Sequence, residues 1–307
     1  MIVSCGEALI DFLPRQDGNG GAAFAPFVGG SPFNVAIAVG RLGTPAGFFG
    51  GLSRDIFGET LRLALHDSHV DATLAHQSDR PTTLAFVNLA GGDARYAFFD
   101  EGSAGRMLTE NDLPALPRAV AALHFGSFSL AEEPCGSAFE ALMQREHHDR
   151  VISLDVNVRP TLIKNRDGYL ARIDRLVAMS DVVKLSTEDL AWLAPGESFE
   201  AIARRWVAAG ARLVVLTLGA DGALAVSARE SAEAPAVKVT VADTVGAGDT
   251  FTAASVVRLA QRELLTKSAV ASLSHNQIAD MLAFAAKAAA ITVSRPGADP
   301  PWLRELP

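Results

Sequence analysis

Cysteine is nearly absent: Cys5 and Cys135 are the two the chain contains, with no Cys-x-x-Cys spacing. A disulfide framework and a thiolate metal site are therefore not expected, and both thiols should be reduced and buried. Long apolar runs are missing too. None approaches the ~18 residues of a membrane-spanning helix. Positive charge is scarce, and the formal net charge of −8 argues against non-specific binding to nucleic acid. Neither a basic leader nor a cleavage pattern precedes the first apolar stretch, so a cytosolic protein is expected. The dinucleotide fingerprint Gly-x-Gly-x-x-Gly does not follow the first strand-like run, where Gly6-Glu7-Ala8 stands instead. That sets aside a nicotinamide oxidoreductase.

What the chain does have is apolar residues in quantity, 49% of 307, enough for one large domain or two small ones. They recur in short runs separated by helical patterns. Strands are expected at Ile2–Cys5, continuing through Glu7–Asp11, and at Phe48–Leu52, Ala122–Phe125, Val151–Val156, Asp181–Leu185, Leu213–Leu218 and Leu224–Val226. Helices are expected at Asn34–Leu42, Asp55–His66, Cys135–Arg145, Asp167–Met179, Phe199–Ala209, Asp249–Gln261 and Gln277–Val293. Such alternation predicts a parallel sheet covered on both faces, in a single α/β domain over 1–307. Two further strand-like runs, Leu84–Leu89 and Arg95–Phe99, flank Ala90-Gly91-Gly92-Asp93 and read as a hairpin in a separate small sheet. Residues 14–23, rich in Pro, Asp, Gly and Asn, read as a loop.

The chemistry gathers around Asp243-Thr244-Val245-Gly246-Ala247-Gly248-Asp249. The apolar run Ala236–Val241 precedes it and a helical pattern follows, so strand, glycine turn and helix are expected in that order. A helix start offers unpaired amides and partial positive charge, and glycines let an anion approach them. No Gly-Lys-Ser/Thr closes this turn, so it is not a Walker-type nucleotide loop. Asp249 could simply be a helix cap. An acid beside an anion site also has a reason to be there if it accepts a proton during phosphoryl transfer. Polar groups stand at the ends of several other strands: Asp11, Gly29-Gly30-x-x-x-Asn34, Asp155-x-Asn157-x-Arg159, Lys184-x-Ser186 with Glu188 and Asp189, and Thr217-x-Gly219-x-x-Gly222. Alternation would put Asp155, Asn157 and Arg159 on one side if the extended form persists.

These strings, in this order from Gly6 to Gly297, resemble the ribokinase-like sugar kinases, the PfkB family. The resemblance implies a ribokinase-like, doubly wound sheet with lid strands inserted at about 11–28 and 82–101. It implies Asp249 as catalytic base, with Gly246, Ala247 and Gly248 as the anion hole. It puts the sugar against Asp11, Gly29, Gly30, Asn34 and Arg159. ATP would meet Lys184, Ser186, Thr217, Gly219, Gly222 and Gly248, with Mg²⁺ reached by Asp189 through water. A monovalent cation such as K⁺ would sit among Asp243, Val245, Thr292, Arg295 and Gly297, through backbone oxygens. Many relatives have Asn where Ala286 stands, beside the adenine. Within the family, Gly6-Glu7-Ala8-Leu9-Ile10-Asp11 and Asp155-x-Asn-x-Arg159 look most like bacterial fructokinases. The expected partners are thus a free sugar and ATP, with no nucleic acid or membrane, and a homodimer through the lid. Alternative acceptors are 2-keto-3-deoxygluconate, ribose or a nucleoside. A non-catalytic sugar-binding regulator is the alternative from another class.

Overall fold

Strands buried on both faces need near-continuous apolar runs, and those runs form the centre of the molecule. The structure, a computed structural model, describes residues 1–306 apart from 17, 19 and 89–94. Its strands are β1 (Ile2–Cys5), β2 (Leu9–Gln16), β3 (Ala22–Gly29), β4 (Ala46–Phe49), β5 (Gly51–Ser53), β6 (Val70–Asp71), β7 (His76–Ser78), β8 (Thr83–Asn88), β9 (Arg95–Phe99), β10 (Ala122–Gly126), β11 (Val151–Asp155), β12 (Val182–Ser186), β13 (Leu213–Thr217), β14 (Ala223–Ser227) and β15 (Ser231–Ala234). The helices are α1 (Ser31–Arg41), α2 (Ile56–Asp67), α3 (Cys135–Glu146), α4 (Arg166–Met179), α5 (Thr187–Leu193), α6 (Phe199–Ala209), α7 (Ala247–Gln261), α8 (Lys267–Val270) and α9 (His275–Val293).

The main sheet runs β15-β14-β13-β12-β11-β10-β1-β4-β6. It is parallel from β6 to β13, and β14 and β15 return antiparallel. Alternation along each strand feeds two apolar layers. Ile2 and Ala122 face the layer of α1, α2, α7 and α9. Val3, Leu123 and Phe125 face that of α3, α4 and α6. Each large apolar side chain so buried stabilises by roughly 1.5–3 kcal/mol. The parallel strands all end at one edge, where an open α/β sheet places its ligands. Among the described residues no helix is long and apolar enough to cross a membrane.

A second sheet, β3-β2-β8-β9, stands apart from the first. The expected continuation of the first strand through Asp11 is not found. The chain leaves the main sheet at Gly6 (φ 152°), where the Pro32 ring fills the place of a side chain. Asp11 therefore lies on β2, in the small sheet. The expected loop over 14–23 is also shorter than composition suggests, since Gln16 pairs with Ala22. Pro14 is tolerated because β8 pairs only with Leu9–Phe12, leaving β2 one neighbour beyond that point. The run Phe48–Leu52 divides between β4 and β5, the latter pairing with β7. The hairpin turn expected at 90–93 lies outside the described residues. The run Ala236–Val241 forms no strand. Its residues line a cavity instead of pairing with a neighbour.

Candidate active site

Helix α7 begins without a side-chain cap. Gly246 occupies the N-cap in the left-handed region (φ 75°). A side chain there would also meet Ala298. Among the described residues the Gly246 and Gly248 amides have no acceptor, while that of Ala247 makes a long 3.3 Å bond to the Thr244 carbonyl. Unpaired amides at a helix start form an anion site. Asp249, in the first turn, does not cap the helix. Its Oδ1 accepts from the Ser31 hydroxyl at 2.6 Å and its Oδ2 from Asn34 Nδ2 at 2.8 Å. Both donors belong to the first turn of α1, which packs alongside α7. Ser31 Oγ also accepts from Asn157 Nδ2 at 2.8 Å. Burial raises the Asp249 pKa, and the Ser31 and Asn34 bonds partly offset that rise.

Asp11 approaches from the small sheet. A Cβ on Gly29 would stand 2.1 Å from Asp11 Oδ2, so the carboxylate occupies space that only glycine leaves open. Burial pushes the Asp11 pKa up to about 6, with Asp249 adding to the rise and Arg159 opposing it. The two acids and the guanidinium thus share one region. Asn34, expected in the sugar pocket, spends its amide on Asp249. Asp155, Asn157 and Arg159 do not form one extended face. β11 ends at Asp155, and Asn157 turns the chain with φ 40°. Asp155 is fully buried, bonded by Lys184 Nζ at 3.0 Å and by Thr252 Oγ1 at 3.1 Å. Arg159 is exposed and donates to Asn157 Oδ1 at 2.5 Å.

Lys184 brings its ammonium to the anion site. Its Nζ lies 3.2 Å from where a Gly248 Cβ would stand. Burial pulls its pKa down, yet Asp155, Asp189 and Asp249 outweigh that and keep it charged. The group opens on a cavity of about 840 Å³. Lys184, Ser186, Glu188, Thr217 and Gly248 line the cavity's polar end, near Gly219 and Gly222. Val237, Val239, Val241, Ala286, Ala290 and Val293 give it an apolar wall.

Asp189, expected to reach a metal through water, is buried at the cavity and engaged by backbone. Its Oδ1 accepts from the Val158 amide at 2.7 Å and its Oδ2 from the Ser186 amide at 2.8 Å, closing a capping box on α5. The exposed acid on the cavity is Glu188, one position earlier. Among the described residues no group of three acids or histidines could hold a metal ion. A divalent ion would fit here only if phosphates and water supplied most of its oxygens. The loops around Asp243 and Gly297 do meet. Asp243 accepts from the Val245 amide at 3.0 Å and the Gly297 amide at 2.9 Å. The side chains of Thr292 and Arg295 point elsewhere, to Thr250 and to Glu305. Any cation there would have backbone oxygens as ligands.

Ser31 and the Asp155–Lys184 pair are the parts that motif reading missed as a unit. Ser31 and Asn34 stand three apart, on one face of a helix, which is the local signal that could have found them.

Residues 1–305 match the pfkB family carbohydrate kinase. The chain belongs to that family. It is a carbohydrate kinase, a phosphotransferase with an alcohol as acceptor. A fructokinase of Rhizobium leguminosarum bv. trifolii is 50% identical over 278 residues, covering 91% of this chain and 85% of the relative. The structure of a fructokinase with bound ATP from Xylella fastidiosa superimposes with a TM-score of 0.89 at 28% identity, covering 100% of this chain and 94% of that one. The fructokinase of Vibrio cholerae O395, in a form with fructose, ADP and calcium ion bound, gives 0.83 at 28% identity, covering 97% and 94%. The expected ribokinase-like α/β fold, with its large mostly parallel sheet between helices and small separate sheets, is the fold found.

Proposed function

We propose that this pfkB kinase is an ATP-dependent fructokinase, transferring the γ-phosphoryl group to a primary hydroxyl of fructose. The observation that carries the reading is Asp249, held by two donors beside the open amides of Gly246 and Gly248 and the Lys184 ammonium. Asp249 accepts the hydroxyl proton as that oxygen attacks the γ-phosphorus. The bond from γ-phosphorus to the bridging oxygen breaks, and ADP leaves. Amides and ammonium meet the charge on the transferred group, where fixed donors act most strongly. ATP lies in the 840 Å³ cavity, its base against the alanine and valine wall. Mg²⁺, when bound, would neutralise phosphate charge, with the exposed Glu188 on the cavity wall available to its waters. Asp11, Gly29, Gly30 and Arg159 hold the sugar. Carboxylate acceptors and guanidinium donors suit its hydroxyls.

The small sheet serves as a lid that excludes water, the competing acceptor. Its exposed Phe24 and Phe99, joined through Phe86, make that side of it the face through which two copies pair. The Asp243–Gly297 loops hold K⁺. The enzyme works in the cytoplasm, with its two thiols reduced and buried. The intact acid and anion site argue against a sugar-binding regulator. The test is ADP release from ATP and Mg²⁺ over a panel of fructose, 2-keto-3-deoxygluconate, ribose and a nucleoside. Fructose should give the highest kcat/KM. A higher value for any other acceptor overturns the choice of sugar, and no ADP release with any of them overturns the kinase reading.

A further inference from the structure

Glu7 belongs to none of the roles above, yet it is 3% exposed, a costly place for an acid. It stands at the crossover between β1 and β2. Its Oε1 accepts from the Ser31 amide at 3.2 Å. Its Oε2 has no hydrogen-bond partner among the described residues. Burial pushes its pKa up to about 7.

Helix α1 explains why an acid is drawn here. Its N-cap is Gly30, which bears no capping group, and its first turn contains no acid. A capping side chain cannot be placed at position 30. The backbone there has φ 102°, and a Cβ would meet the Glu7 carbonyl at 2.7 Å. The missing acceptor comes instead from Glu7, 24 residues earlier in the chain. Ser31 is then held at its amide by Glu7 and at its hydroxyl by Asp249 and Asn157. Asn34 closes the same turn, its amide on the Gly30 carbonyl at 2.8 Å.

We propose that Glu7 is the positioning residue for phosphoryl transfer, fixing the first turn of α1 so that Ser31 and Asn34 aim the Asp249 carboxylate. The proposal rests on Asp249 being the proton acceptor. The test is steady-state kinetics with fructose and ATP for Glu7→Ala, Glu7→Gln and Ser31→Ala, each alone and combined with Asp249→Asn. Glu7→Ala should lower kcat about 10–100-fold, the scale of a small misplacement, with KM for ATP within about twofold. Glu7→Gln retains an acceptor for the Ser31 amide and should restore kcat to within about threefold. With Asp249→Asn already present, Glu7→Ala should cost less than about twofold more. Should Glu7→Ala not fold, Ser31→Ala must show the same loss and the same coupling. Equal losses in both backgrounds, or a Gln variant as impaired as the Ala variant, overturn the role of Glu7 and leave the base in place. Full turnover by Asp249→Asn alone removes the base, and the proposal with it.

Discussion

Asp249 is an acid whose two oxygens are each pinned by a donor from another helix, and that pinning sets it apart from an ordinary helix cap. Local pattern made Asp249, Asn34 and the glycine pairs legible in the sequence, because glycine turns and helix starts are short-range features. The partners were not legible. Ser31 reaches Asp249 across 218 residues, Asn157 reaches Ser31 across 126, and Thr252 reaches Asp155 across 97. No spacing encodes such contacts; the fold creates them. Asp189 shows why an acid three residues after Ser186 is ambiguous in sequence, since it satisfies a capping box as well as it would a metal role through water. Two predictions belong at this scale. Arg159→Ala should raise KM for fructose about 10–100-fold, the worth of a charge-assisted hydrogen bond, with KM for ATP nearly unchanged; an effect on ATP alone would contradict the sugar role. Glu7 gives a signed pH effect. Its folded pKa, about 7, lies above the ordinary 4.5. The folded state therefore holds the proton more tightly, and that contribution is whole below about pH 4.5 and lost as pH rises through about 7. Urea unfolding should find Glu7→Gln gaining on the parent between about pH 5 and 8, by up to about 3 kcal/mol. A difference that does not change with pH would contradict a buried, titrating carboxyl.

At the scale of elements, the long periodic helices were the easiest to read. Phe199–Ala209 falls where the periodicity puts it, and α7 starts two residues before the expected Asp249. The strand expected at Ala236–Val241 fails for a physical reason. Its valines alternate, but they line the 840 Å³ cavity, and among the described residues no strand pairs with it. Periodicity reports a two-faced segment, not what lies against each face. The start of α7 yields a paired prediction. Gly246→Ala must adopt the left-handed region and displace Ala298, so it should lower both Tm and kcat, the backbone alone costing about 1–2 kcal/mol. Gly248→Ala lies within the helix and meets only the Lys184 ammonium at 3.2 Å. It should retain Tm and raise KM for ATP. Identical Tm losses in the two variants would contradict this account of the turn.

For the whole molecule, strand–helix alternation was enough to predict a parallel sheet between two helical layers, because each layer needs an apolar face of the sheet to bury against. The small sheet was only half legible. Its second hairpin is local, whereas Leu9 of β2 pairs with Thr83 of β8, 74 positions later, and the exit from the main sheet at Gly6 shows no break in apolarity. Its outer face leaves Phe24 and Phe99 at 50% and 62% exposure, both against Phe86 and on the two edge strands. Sedimentation should therefore find a dimer that Phe24→Asp with Phe99→Asp converts to monomer. A monomeric parent would contradict pairing through this face.

The proposed transfer depends most on the Asp249 carboxylate taking a proton. The most direct measurement is the turnover of Asp249→Asn with saturating fructose, ATP and Mg²⁺, alongside its far-UV circular dichroism and Tm. The variant should fold, with kcat reduced by a factor on the order of 10²–10⁴. A folded variant turning over at close to the parent rate would contradict it.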